Sequence, residues 1–173
     1  TDVRNYDEVR DSIGKCAQRF GALDILVNNA AGNFPCPTAK LSPNGWRTVV
    51  DIDLNGTFYC CHAAYEALRQ SVGGGCIISI GATQGFTGWP NQAHAAAAKA
   101  GITSLMRTLA VEWGPDNIRV NTILPGPIAD TEGVRRLYEQ KGLAEVQRRR
   151  VALGRFGSIE DVANAAVYLA SPL

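Results

Sequence analysis

The chain has 173 residues, 46% of them hydrophobic and 19% charged, and 17 basic side chains stand against 16 acidic ones for a formal net charge of +1. That size and composition suit one globular domain. The near-neutral balance argues against nucleic acid or an anionic membrane surface as partner, and no apolar run reaches the roughly 18 residues that a membrane span requires.

Apolar residues at Val9, Ile13, Ala17 and Phe20 predict a helix over residues 7–20, closed by Gly21. Ile25-Leu26-Val27 reads as a short buried strand. Residues 44–70 read as one long helix, with Trp46, Val49, Val50, Leu54, Phe58 and Leu68 as buried positions, broken by Gly73-Gly74-Gly75. Cys76 to Ile80 is a second buried strand, residues 91–113 a helix, and Ile118 to Leu124 a third strand stopped by Pro125-Gly126-Pro127. Ser158 is the expected N-cap of a last helix ending near Ala170, with an acidic first turn that suits the helix dipole.

Apolar strands alternating with helices predict an α/β fold, a doubly wound parallel sheet of the Rossmann type. In such sheets ligands bind beyond the carboxyl ends of the strands. The chemistry is therefore expected just after Val27, Ile80 and Leu124, where the sequence reads Asn28-Asn29-Ala30-Ala31-Gly32-Asn33-Phe34, Gly81-Ala82-Thr83 and Pro125-Gly126-Pro127-Ile128. The chain opens at Thr1 without a methionine, carries no G-x-G-x-x-G turn for a pyrophosphate, and stops just after a helix. The expectation is one domain over residues 1–173, incomplete at both ends, lacking the first βαβ units and the last strand. Cys16, Cys36, Cys60, Cys61 and Cys76 form no C-x-x-C pair, and His62 and His94 fall at no ligand spacing. No metal is expected, and the thiols read as small reduced hydrophobes.

Asn28-Asn29-Ala30, Lys99, Arg119-Val120-Asn121 with Pro125-Gly126, and Gly154-Arg155-Phe156-Gly157 with Glu160-Asp161-Val162-Ala163 together resemble the short-chain dehydrogenase/reductase superfamily along essentially the whole chain. Where that superfamily carries its tyrosine, serine and helix asparagine, this sequence has Ala95, Ala82 and Asp53. Ala31-Gly32-Asn33-Phe34, Leu41 to Trp46, Asp51-Ile52-Asp53, Ala110 to Gly114 and Pro125 to Ile128 resemble the 2,4-dienoyl-CoA reductases. Gln84 stands where the mitochondrial kind keeps a displaced tyrosine, so the peroxisomal and similar bacterial kinds fit better.

The resemblance implies an NADPH-dependent reduction of a 2,4-dienoyl-CoA to a 3-enoyl-CoA, a step in the breakdown of unsaturated fatty acids. It implies catalytic roles for Asp53 and Lys99, Asp53 ordering a water for proton transfer and Lys99 also holding the nicotinamide ribose. Asp2, Asn28, Pro125, Gly126, Pro127, Ile128 and Thr131 are the further cofactor contacts. Arg4, Phe34, Ser42, Pro43, Asn44 and Arg136 are the contacts to the acyl-CoA. Arginine suits the phosphates, because its fork donates two hydrogen bonds at once. It implies too a homotetramer built on the helices over 44–70 and 91–113, in a peroxisome if the source is eukaryotic and in the cytoplasm if bacterial. From the residues alone, a lone charge such as Asp53 in an apolar stretch must be solvated, paired or functional. Arg148-Arg149-Arg150 reads as a solvated helix face. Another acyl-thioester reductase of the superfamily, enoyl-CoA or 3-oxoacyl, and a non-catalytic cofactor-binding protein are the other readings; the missing tyrosine weighs against the 3-oxoacyl version, and Lys99 with the Asn33-Phe34 loop against the last.

Overall fold

The computed structural model describes residues 1–140 and 142–172. Helix α1, Tyr6–Phe20, starts where the Asn5 side chain accepts hydrogen bonds from the amides of Asp7 and Glu8, and ends at Gly21 with φ 80°, a left-handed conformation that glycine takes without steric penalty. Strand β1, Ile25–Asn28, follows. Helix α2, Pro43–Val50, is capped by Ser42 and leads through a π-helical stretch, Asp51–Asn55, into α3, Gly56–Arg69. Strand β2, Gly75–Ile80, helix α4, Ala93–Trp113, and strand β3, Ile118–Ile123, complete two crossover units. A single turn α5, Glu132–Val134, runs into a second π-helical stretch, Arg135–Glu139; α6, Ala144–Arg150, and α7, Ile159–Ala170, follow. Ser158 caps α7 with a full capping box to Asp161, as the sequence predicts.

The three strands lie in the order β1-β2-β3 and are parallel, with Ile25 opposite Cys76 and Gly75 opposite Ile118. Parallel neighbours need a long crossover, and here α2–α3 and α4 supply the two. Cys61, Ala64 and Leu68 of α3 and Ile102, Met106 and Leu109 of α4 close over Ile77, Ile118 and Val120 to form the core. On the opposite face α7 packs on β2 and β3, and Arg119 of β3 reaches the Leu169 carbonyl at 2.6 Å.

Two features depart from the sequence reading. The helix expected over 44–70 is continuous in path but contains the π-helical stretch. Strand β1 is not fully buried: Ile25 and Val27 are 45% and 51% exposed. Side chains alternate across a strand, so Leu26 and Asn28 face α3, while Ile25 and Val27 face the side where α7 covers only β2 and β3.

Candidate active site

The π-helical stretch sets one side of the site. The Gly56 amide bonds the Asp51 carbonyl five residues back, so one residue bulges from the regular ladder, a device common at functional sites. Thr57 holds the bulge by donating its hydroxyl to the Asp53 carbonyl at 2.6 Å. The side chain so turned inward is the Asp53 carboxylate, 1% exposed. Its Oδ1 accepts the Gly32 amide at 2.7 Å, from the loop beyond β1. Its Oδ2 lies 3.6 Å from Nζ of Lys99. Lys99 projects from α4, is 7% exposed, and donates to the Ile80 carbonyl at the end of β2 at 2.9 Å.

Burial raises the Asp53 pKa above the ordinary carboxylate value, against the opposing pull of the Lys99 ammonium and the Gly32 amide. Burial likewise lowers the Lys99 pKa, with Asp53 opposing. Removing two charges from water costs more than their mutual attraction returns, and the two groups are brought toward each other in proton affinity. Such a pair can hold, give or take a proton beside whatever binds there.

Two cavities meet at Lys99. One, about 360 Å³, is lined by Asn33, Asp53, Gln84, Ala95, Lys99 and Arg136 among others. The second, about 520 Å³, runs along the strand ends past Ala82, Lys99 and Pro125 to Ile128 and Thr131. Ala31, Gln84, Lys99 and Leu137 border both. Ala95 and Ala82 thus line one cavity each, and among the described residues no tyrosine lines the cavity beside Asp53.

The expected cofactor contacts divide in two. Pro125, Gly126, Pro127, Ile128 and Thr131 line the larger cavity, and Thr131 fixes the loop by donating to the Ile128 carbonyl at 2.7 Å. Asn28 does not line it. Its amide donates to Ser79 Oγ at 3.0 Å and to Cys61 Sγ at 3.3 Å, stitching β1 to β2 and α3; Asn29 faces the larger cavity instead. Asn28 borders a separate 90 Å³ hollow with Val3, beside Asp2. Asp2 is occupied by Arg4, whose Nε lies 3.0 Å from its carboxylate and whose hydrogen bonds hold the Asp2 pKa at about 2.

The expected acyl-CoA contacts are likewise scattered. Arg136 lines the cavity beside Asp53, its guanidinium bonded to Glu132. Phe34 packs edge-on against His94, ring centroids 4.6 Å apart. Ser42, Pro43 and Asn44 line no part of the Asp53–Lys99 cavity, contrary to expectation. Ser42 accepts the Gly45 amide at 3.0 Å as the cap of α2, with proline in the first turn, so that segment is explained by helix initiation.

Several residues at the cavities carry no individual role in the sequence reading, although Asn33 lies in the strand-end loop singled out there. Asn33 lines the cavity and donates to Gln92 Oε1 at 2.8 Å, while its Oδ1 is buried without a partner among the described residues. His94 is fully buried, and neither ring nitrogen finds a partner there. Leu137 and Trp89 also border the cavities, and nothing in their local sequence marks them. His94 could have been found as a polar residue at a helix start. Among the described residues no cluster of potential ligands could hold a metal ion, and no helix is long and apolar enough to cross a membrane.

A parallel sheet with helical crossovers and a cavity beyond its strand ends defines a doubly wound, Rossmann-type scaffold. The chain belongs to the short-chain dehydrogenases/reductases, and within them to the family described as Enoyl-(Acyl carrier protein) reductase, whose model it matches over residues 1–173. It is 46% identical over 171 residues to the Probable 2,4-dienoyl-CoA reductase, (2E)-enoyl-CoA-producing, of Bacillus subtilis, covering 98% of this chain and 67% of that protein. It is 45% identical over 175 residues to the peroxisomal 2,4-dienoyl-CoA reductase, (3E)-enoyl-CoA-producing, of Saccharomyces cerevisiae, covering 99% of this chain and 58% of that one. A gluconate 5-dehydrogenase from Burkholderia cenocepacia, solved with NADP and tartrate, superposes with a TM-score of 0.93 at 30% identity, covering 99% of this chain and 67% of that one. The chain therefore spans 58% to 67% of the length of the curated relatives it matches here.

Proposed function

We propose that the protein to which this chain belongs reduces 2,4-dienoyl-CoA thioesters with NADPH to 3-enoyl-CoA. The observation that carries the reading is the buried Asp53–Lys99 pair, with Ala95 in the cavity beside Asp53 and Ala82 in the adjoining one where a carbonyl reductase carries its hydroxyl groups. Reducing a conjugated diene does not require an acid at a carbonyl oxygen. It requires a place for negative charge at the thioester and one proton delivered to carbon.

The cavity along the strand ends suits a nicotinamide. Gly126 has open space where a side chain would stand. The carbonyls around Ile128 are taken, by Gly157 from Pro127 and by Thr131 from Ile128 itself, while the Ile128 amide has no partner among the described residues and can meet a carboxamide. When bound, NADPH supplies the hydride to the far end of the diene. Lys99 holds the ribose side of the cavity and places positive charge at the site. The polar groups of Asn33 and Gln84, with Lys99, face the thioester end, where charge develops and where fixed donors contribute most. Asp53, anchored by the Gly32 amide, orders the water that gives its proton to the substrate carbon, and the Lys99 ammonium beside it returns a proton to the hydroxide so formed before recovering one from solvent. The names of the relatives support the diene substrate, and they differ in the product, which makes the position of the remaining double bond the informative measurement. NADP in the superposed structure supports the cofactor.

The reading extends to a homotetramer joined through α2–α3 and α4, where Trp46, Phe58 and Val111 leave 42%, 44% and 79% of their surface exposed. A monomeric mass in solution would remove that part. A peroxisomal location in a eukaryote, or a cytoplasmic one in a bacterium, accords with the relatives. The test of the activity is NADPH oxidation by the full-length protein with 2,4-hexadienoyl-CoA. Rapid oxidation yielding 3-hexenoyl-CoA, absent with saturated and 3-oxoacyl thioesters, is the expected result. NADPH binding without oxidation would overturn the reading, and oxidation with a 2-enoyl product would replace the product assignment.

A further inference from the structure

Among the described residues, three buried side-chain polar atoms have no hydrogen-bond partner: Oδ1 of Asn33 and both ring nitrogens of His94. They belong to one corner of the molecule. Asn33 lies in the loop beyond β1 and lines the cavity beside Asp53. Phe34, next to it, meets the His94 ring edge-on at 4.6 Å. Gln92, two residues before His94, accepts the Asn33 amide at 2.8 Å. The Cys36 amide bonds the Asn91 carbonyl at 2.8 Å, so backbone as well as side chains tie the loop to the start of α4. His94 does not line the cavity beside Asp53, although the next residue, Ala95, does. It stands close enough for its charge to bear on the Asp53 carboxyl.

Burying an imidazole with neither nitrogen bonded forfeits the hydrogen bonds that water gave it. A leucine would fill the same space without that loss, so the ring needs a polar reason to be there. Asn33 supplies one. Two carboxamides that face each other, as those of Asn33 and Gln92 do, can bond in either of two ways, the nitrogen of one to the oxygen of the other. The pair by itself does not choose between them. A third group decides. An imidazole in any protonation state has at least one N–H to give, and Oδ1 of Asn33 is a buried acceptor without a donor.

We propose that His94 is a positioning residue: through a buried water it donates to Oδ1 of Asn33 and fixes that carboxamide with its NH2 group toward Gln92 and the reaction cavity. A buried water needs polar partners on more than one side, and these atoms supply them. The inference rests on the reductase reading above, in which Asn33 faces the thioester end. With the amide turned over, an oxygen would meet the developing negative charge where a donor is needed.

The test uses the full-length protein with His94→Gln, whose carboxamide retains a donor, and His94→Leu, which has none, each also combined with Asn33→Ala. On 2,4-hexadienoyl-CoA, His94→Leu should lower kcat by about tenfold or more, with KM and NADPH affinity unchanged, because a donor that meets charge only in the transition state acts on kcat. His94→Gln should recover most of that loss. In the Asn33→Ala background neither substitution should lower kcat further. An unchanged kcat in His94→Leu, equal losses in the two variants, or the same loss in the Asn33→Ala background would overturn the inference. A crystal structure of the unmodified full-length protein, fine enough to show water, tests it without any substrate. One water within about 3.2 Å of both Asn33 Oδ1 and a His94 ring nitrogen is the expected result. Ring nitrogens bonded elsewhere overturn the assignment even where the diene is reduced, and the water in place sustains it even where no diene is turned over.

Discussion

Asp53 and Lys99 approach to 3.6 Å from two different crossover units, one on a π-helical bulge and the other on the helix after β2, and each is fixed by a backbone group at a strand end. Neither is held mainly by the other. Gly32 anchors the acid and Ile80 the base, so the distance between them is set by the sheet.

Replacing Asp53 by asparagine keeps an oxygen for the Gly32 amide but removes the titratable group. Turnover of the full-length protein should fall by about 10²-fold or more, with NADPH affinity changed less than about threefold. Steady-state rates together with fluorescence titration of NADPH check this, and undiminished turnover would take Asp53 out of the mechanism.

Replacing Lys99 by methionine removes the charge that opposes the burial effect on Asp53, so the Asp53 pKa should rise further. The sign follows directly. A carboxyl whose folded pKa exceeds its unfolded value near 3.8 stabilises the fold fully below that value and loses the contribution as pH rises through the folded pKa. Melting temperature should therefore fall more steeply above pH 4 in Lys99→Met than in the unmodified protein, and this component should vanish in Lys99→Met/Asp53→Asn. Parallel pH profiles of all three proteins would contradict the coupling.

Asn28 bridges β1, β2 and α3 from a buried position. Asn28→Ala leaves the Ser79 hydroxyl short of a donor and should cost about 1–3 kcal/mol, read from urea unfolding midpoints. Loss of NADPH affinity at unchanged stability would instead make Asn28 a direct cofactor contact.

A methyl group at Gly85 would stand 2.9 Å from the Ala100 amide nitrogen and 3.0 Å from the Lys99 carbonyl carbon. Backbone cannot give way as a side chain can, so Gly85→Ala should destabilise by about 1–3 kcal/mol. It should also displace Lys99 and lower kcat. Gly88→Ala nearby, where nothing lies within 4 Å, is the control that should leave both unchanged.

The parallel sheet, the caps at Gly21 and Ser158 and the cavities beyond the strand ends were all legible in sequence, because each depends on local pattern or on a rule of sheet topology. So was the need of Asp53, a charge within an apolar stretch, for a partner: it is buried and lies 3.6 Å from Lys99. The π-helical bulge was not: helical periodicity over 44–70 continues smoothly enough to conceal one extra residue. Ser42 to Asn44, expected as substrate contacts, line no part of the Asp53–Lys99 cavity, because serine before proline here starts α2. Burial of Ile25 and Val27 could not be judged from the strand itself, since it depends on what covers one face of an edge strand. Leu137 and Trp89 come to border the site through tertiary contact alone.

The bulge at Asp51–Asn55 also makes helix length part of the chemistry. Each residue of an α-helix advances the chain by about 100° around the axis. The bulge absorbs one such step, so a chain one residue shorter between Val50 and Gly56 would run as unbroken α-helix with α2 and α3 still in phase. Only the bulged turn would change: Asp53 would lose the position that turns its carboxylate toward Gly32, while Trp46 and Val49 kept theirs. A single-codon deletion in that stretch would thus move the buried carboxylate without disturbing the helices on either side.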